Sequence, residues 1–153
     1  MEQAIIQDKK EILEGLLSDD PWTIQSAARS VIDCVILSRE TIKYLHGYLK
    51  KIKKNLSIER SYGGGIASNR RFVDKALEII EKFDSAECLC EYAFDSFGQY
   101  PSSMKRYGFE VLSDTRKGYT NSGVVMCPLC KQKYRIPCTY TGWHTDMSAH
   151  ERI

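Results

Sequence analysis

Two close cysteine pairs set the strongest constraint on what this chain can become. Cys88-Leu89-Cys90 and Cys127-Pro128-Leu129-Cys130 stand on either side of a stretch rich in Tyr, Gly and Phe. Thiolates are soft ligands, and zinc takes four of them tetrahedrally. The second pair has the spacing of a metal knuckle. The first, with one intervening residue, is tighter and requires the chain to bend sharply around the ion. The expected ligand set is therefore Cys88, Cys90, Cys127 and Cys130, holding structural zinc. Four thiolates close the coordination sphere and leave no position for a reactive water. Such an ion would tie the end of the last N-terminal helix to a hairpin and contribute directly to folding. A local alternative, Cys127, Cys130, Cys138 and His144, is physically reasonable but leaves Cys88 and Cys90 unexplained. With the first set, Cys138 is a free or packed thiol.

Six cysteines in 153 residues also raise the question of a disulfide scaffold. Residues 1–15 mix acids, amides and lysines and offer no apolar signal segment, and no run approaches the length of a membrane span. The expected setting is cytoplasmic, where thiols stay reduced and clustered pairs bind metal. Net charge is +2, and residues 1–87 carry 14 basic and 14 acidic side chains. That balance excludes a polyanion mimic and a strongly basic nucleic-acid binder. At 42% hydrophobic residues, the chain can bury a substantial core.

The N-terminal part reads as amphipathic helices. Residues 3–17 place Ile5, Ile12, Leu13, Leu16 and Leu17 at helical steps. Asp20 is a natural N-cap before Pro21, and the helix from Pro21 to about Leu37 buries Ile24, Ala28, Val31, Ile32 and Val35. Cys34 lies inside that helix as a small core residue. Ser38 is a candidate cap, with Thr41 in place of the Glu or Gln of a full capping box, for a third helix that carries Ile42, Leu45, Leu49 and Ile52 inward and ends among Lys50, Lys51, Lys53 and Lys54. Those lysines complement the helix dipole. His46 is a surface or packed residue rather than a ligand. Residues 55–69 form a loop with Gly63-Gly64-Gly65, which lacks the Lys-Ser/Thr of a phosphate loop. Ser68 or Asn69 caps a fourth helix over about 70–83, burying Phe72, Ala76, Leu77, Ile80 and Phe83.

After Cys90 the pattern changes. Tyr92, Phe94, Phe97, Tyr100, Tyr107 and Phe109 alternate with glycine and proline, which favours strands and irregular loops. Phe109–Leu112, Tyr119–Met126 and Lys133–Ile136 are the expected strands, the last two flanking the knuckle. The expected architecture is α+β: an antiparallel helical part over 1–87 packed on a zinc-ribbon-like β module over 88–153, the two forming one folded unit. His144, Asp146, His150 and Cys138 are material for a nucleophile and base, but nothing in their spacing requires catalysis, and the expected role is non-enzymatic.

The turn Leu16–Pro21 followed by Ala27-Ala28-Arg29 resembles part of a HEAT-type repeat. More broadly, the chain combines those helices with Asn69-Arg70-Arg71-Phe72, Cys88-Leu89-Cys90-Glu91-Tyr92, Tyr107–Leu112 and the late Cys127–Cys130 pair. In this order it resembles small bacterial immunity, or orphan immunity-like, proteins of contact-dependent and other polymorphic toxin systems. It departs from the knuckle pattern at Lys131, where Gly is frequent, and it ends soon after Trp143. The resemblance implies a protein that neutralises a cognate toxin domain by stoichiometric binding; with no apolar run of spanning length, no membrane association is expected.

A second class is a zinc-ribbon module binding nucleic acid or acting in regulation. Lys131, Lys133 and Arg135 would contact phosphate, Tyr134 would stack on a base, and Lys105, Arg106, Arg116 and Lys117 would add charge. Against that stands the plainer reading of these residues as solubilising groups on an exposed hairpin.

Overall fold

The computed structural model describes residues 7–62, 70–84, 88–94, 101–117, 120–140, 145–147 and 151–153, with the side chains of 115–117, 120–122, 137–140, 145–147 and 151 left out. The chain is α+β and divides into two compact units, one ending at Tyr92 and the other beginning at Ala93. No helix among the described residues is long and apolar enough to cross a membrane.

The first unit is helical. Helix α1 spans Lys9–Leu16, shorter than the periodicity predicts, because Asp8 takes the N-cap position and its carboxylate accepts the Lys10 amide at 3.2 Å. Helix α2 spans Pro21–Leu37, as its signals predict. Asp20 accepts both the amide and the hydroxyl of Thr23, at 3.0 and 2.6 Å. These bonds hold the Asp20 carboxyl below its ordinary range, the side-chain bond being the larger cause. Ile24, Ala28, Val31, Ile32, Cys34 and Val35 are all buried. Helix α2 packs against α1 and against two later helices, α3 (Arg39–His46) and α5 (Arg70–Glu81).

The expected single helix after Ser38 is two. Helix α3 ends at His46, and α4 spans Leu49–Leu56. Between them Tyr48 leaves the helical region at φ −112, ψ 19, and its amide donates back three residues to the Leu45 carbonyl at 2.9 Å. Gly47, a poor helix former, precedes that step. Ser38 does stand at the N-cap of α3, but its hydroxyl pairs with that of Thr41 at 2.8 Å instead of capping an amide.

Helix α5 is followed by a 3-10 turn, Lys82–Asp84. Its buried face is Val73, Ala76, Ile79 and Ile80, so the expected stripe holds at Ala76 and Ile80 but is rotated at Phe72, Leu77 and Phe83. Phe72 is half-buried between two guanidinium groups, Arg29 at 4.5 Å and Arg71 at 4.9 Å from its ring centre. Two polar contacts fasten the helices. The Asn55 amide donates to the carbonyls of Leu16 and Ser18 at 2.7 and 2.8 Å, satisfying acceptors at the end of α1. His46 meets the Ile80 carbonyl at 2.8 Å through Nδ1 and Asp84 at 3.0 Å through Nε2. Gly63–Gly65, Ser68 and Asn69 lie outside the described residues.

The second unit holds an antiparallel sheet. Strands β1 (Glu110–Lys117), β2 (Thr120–Met126) and β3 (Lys133–Tyr140) run in that order, and the short β4 (Thr145–Met147) and β5 (Glu151–Arg152) both pair with β3. A bulge shifts the β1–β2 register between Val111 and Ser113. Gly123 sits where backbones nearly touch: a Cβ there would collide with the Ser113 carbonyl and stand 2.7 Å from Pro101 Cγ. The described parts of the aromatic stretch form 3-10 turns at Cys90–Ala93 and Pro101–Tyr107. Phe94, Phe109 and Tyr134 pack as a buried cluster with ring centres 4.8 to 6.0 Å apart.

Candidate metal centre

The four cysteines singled out by spacing come together. The sulfurs of Cys88, Cys90, Cys127 and Cys130 all lie within 4.8 Å of one another, and no disulfide joins the described cysteines. A zinc ion bound at about 2.3 Å to each of four thiolates sets its ligand atoms about 3.8 Å apart, so this spread suits one tetrahedral cation. The donor set is soft throughout, and Cys90 and Cys127 are fully buried while Cys130 is exposed. Four thiols gathered in this way fit a metal site.

The turn between β2 and β3 presents the second pair. The Cys127 amide donates to the Gln132 carbonyl at 3.0 Å, and the Cys127 carbonyl accepts the Lys131 amide at 2.9 Å. These two bonds fold Pro128, Leu129 and Cys130 into a tight loop. Lys131 closes it with φ 65, the left-handed region that favours glycine. The position where a knuckle often carries Gly thus keeps its conformation here with a lysine.

The first pair is held differently. Leu89, between the two cysteines, is buried, and its carbonyl accepts the Tyr92 amide at 3.0 Å. The Tyr92 hydroxyl accepts from Lys82 Nζ at 2.8 Å, and Lys82 also pairs with Glu78 at 3.0 Å. Hydrogen bonding to Tyr92, then to Glu78, raises the Lys82 ammonium above its ordinary range. The bond from Lys82 in turn lowers the Glu78 carboxyl, while burial foremost raises the Tyr92 phenol. This triad anchors the segment that carries Cys88 and Cys90. Glu78 and Lys82 are readable as an i,i+4 pair on a helix; their link to Tyr92 has no local signal.

The other sequence candidates fare unevenly. The nucleic-acid alternative would have Tyr134 stack on a base, but Tyr134 is fully buried and packs on Phe94 and Phe109. Strand alternation carries the signal: Lys133 and Arg135 face out, so Tyr134 between them faces in. Lys131, Lys133, Arg135, Lys105 and Arg106 are exposed. The side chains of Arg116, Lys117, Cys138, Asp146 and the whole of His144 and His150 lie outside what is described. Cys34 is buried in α2, and burial, with the charge of Asp33 second, pushes its thiol up to about 11.

Compared with protein-family models, curated proteins and solved structures, the chain matches none.

Proposed function

We propose that this chain is a non-enzymatic, cytoplasmic binding protein of the bacterial immunity type, which neutralises a cognate toxin domain by stoichiometric binding, and that Cys88, Cys90, Cys127 and Cys130 hold one structural zinc ion. The observation that carries the zinc is the gathering of four thiol sulfurs within 4.8 Å. A closed tetrathiolate sphere offers no open position for substrate, so the metal serves the fold and the surface does the work. The toxin as partner rests on the resemblance of the chain's order of helices, Cys-Leu-Cys turn and later Cys-Pro-Leu-Cys pair. The finer description of the two parts as HEAT-like helices and a zinc ribbon belongs to the same reading.

Native mass spectrometry of the protein purified from its own cells tests both statements at once. The expected result is a mass increment of one zinc per chain and a second polypeptide at one-to-one ratio. A metal-free monomer removes the zinc. Salt-labile nucleic acid in place of a protein partner overturns the toxin-binding role and favours the nucleic-acid alternative.

A further inference from the structure

Helix α1 and the first turns of α2 enclose a groove of about 490 Å³. It exists because Gly15 lets the helices close on one another: a Cβ at Gly15 would stand 2.7 Å from Ala27 Cβ. Beside that contact the groove is lined by Glu11, Glu14, Trp22 and Thr23, among others, and among the described residues by no lysine, arginine or histidine. Trp22 is 69% exposed, the largest aromatic of the described chain left in water. An indole contributes nothing to the core there, but it offers the best ring face for a cation.

The carboxylates are available. Gln7 donates to Glu11 at 3.3 Å, and among the described residues no ion pair engages Glu11 or Glu14. Of the cations on the same two helices, Lys9 and Arg29 are turned to other partners, and Lys10, exposed four residues before Glu14, is not among the lining residues. Lys9 pairs with Glu40 at 3.4 Å, and Arg29 stacks on Phe72. At the start of α2 the Asp20 carboxylate caps the Thr23 amide, and its charge offsets the positive helix end. What remains is a cleft with two carboxylates, an aromatic face and no cation among its described lining residues.

We infer that this groove docks an arginine or lysine side chain presented by a basic segment of the partner protein. Charge complementarity selects the guest: a carboxylate accepts its N–H donors, and the Trp22 ring covers its flat or methylene face. The inference deepens the binding role proposed above and rests on it for the identity of the partner. It also explains how a chain of nearly neutral net charge presents a local acidic contact.

The test uses the full-length zinc-loaded protein, labelled with nitrogen-15 and titrated with a blocked Gly-Arg-Gly-Arg-Gly peptide. A peptide with Glu in place of Arg is the control. The amides of Glu14, Gly15 and Thr23 and the Trp22 indole should shift together and saturably with the Arg peptide, less so as salt rises. Trp22→Ala and Glu14→Gln should each weaken binding about threefold, and the double variant about tenfold. Both residues are exposed, so neither change threatens the core. Unchanged affinity in the double variant, equal binding of the Glu peptide, or shifts centred on Asp74 or Asp114 would overturn the groove. A toxin complex that survives the double variant unweakened also overturns the groove and leaves the binding role intact. Groove binding without any toxin partner supports the groove and removes the toxin-binding role.

Discussion

The Lys131 amide donates to the Cys127 carbonyl at 2.9 Å from a left-handed backbone conformation, φ 65. The knuckle requires that turn, because the same bond brings Cys130 back toward Cys127. A side chain with a Cβ is strained there by about 1 kcal/mol relative to glycine. Lys131→Gly should therefore stabilise the metal-loaded protein by about 1 kcal/mol, read as a higher urea midpoint at unchanged m-value. Lys131→Val should destabilise it, since β-branching deepens the clash. A glycine variant no more stable than the parent would show that the turn is not held in this conformation.

Substitution of the cysteines one at a time separates the two ligand sets. Cys88→Ser and Cys90→Ser should each reduce zinc affinity by at least about a hundredfold, as should Cys127→Ser. Cys138→Ser, His144→Ala and Cys34→Ala should retain one zinc per chain after dialysis against a weak chelator. Elemental analysis of the dialysed variants reads the outcome. Retention of zinc by Cys88→Ser together with its loss from Cys138→Ser would transfer the site to the local set.

What was legible in the sequence was local, or rested on donor chemistry. Asp20-Pro21 announced the start of α2 because the cap and the proline act within one turn. The four cysteines announced themselves because few other groupings of thiols serve a structural purpose in one small module. The break between α3 and α4 was hidden, since Ile42, Leu45, Leu49 and Ile52 keep helical steps straight across Gly47-Tyr48. The rotated face of α5 depends on Arg29, distant in sequence, reaching Phe72. The α1–α2 groove likewise depends on Gly15 meeting Ala27, a contact between two helices that no single window contains.

Asn55 gives a test of the helical unit. Its amide N–H groups donate to the Leu16 and Ser18 carbonyls, while its own carbonyl oxygen accepts from Arg60 at 2.9 Å. Asn55→Ala should cost about 2 kcal/mol, since two carbonyls at the end of α1 lose their donors. Asn55→Asp should cost more, because it sets a carboxylate oxygen against those same two carbonyls. Chemical denaturation of the three proteins at neutral pH gives the order. If aspartate were tolerated better than alanine, the contact to Arg60 would outweigh those to α1.

Gly123 tests the sheet. Any side chain there meets the Ser113 carbonyl and Pro101, and backbone cannot yield as a flexible side chain does. Gly123→Ala should destabilise the protein by roughly 2 kcal/mol or more through forced backbone shifts. Thermal unfolding of the metal-loaded variant checks it. An unchanged midpoint would mean that β1 and β2 part more easily at the bulge than their register implies.

Cys34 predicts a pH dependence whose sign follows from its position. Its thiol is fully buried in α2, and burial, reinforced by Asp33 and opposed by the Thr41 hydroxyl, raises it from 9.0 to about 11. Below the lower value both folded and unfolded chains keep the proton, and Cys34 adds no slope. Between 9.0 and about 11 the unfolded chain releases it while the folded chain retains it. The native state then binds more protons, so stability falls as pH rises, by up to roughly 1.4 kcal/mol per pH unit across that interval. Cys34→Ala removes this contribution and leaves every other titrating group in place. Urea unfolding from pH 8 to 11, with parent and variant measured side by side, should show the parent's stability falling more steeply by that amount. Parallel curves would mean that Cys34 ionises as readily in the folded chain as in the unfolded one and that burial within α2 does not raise its thiol.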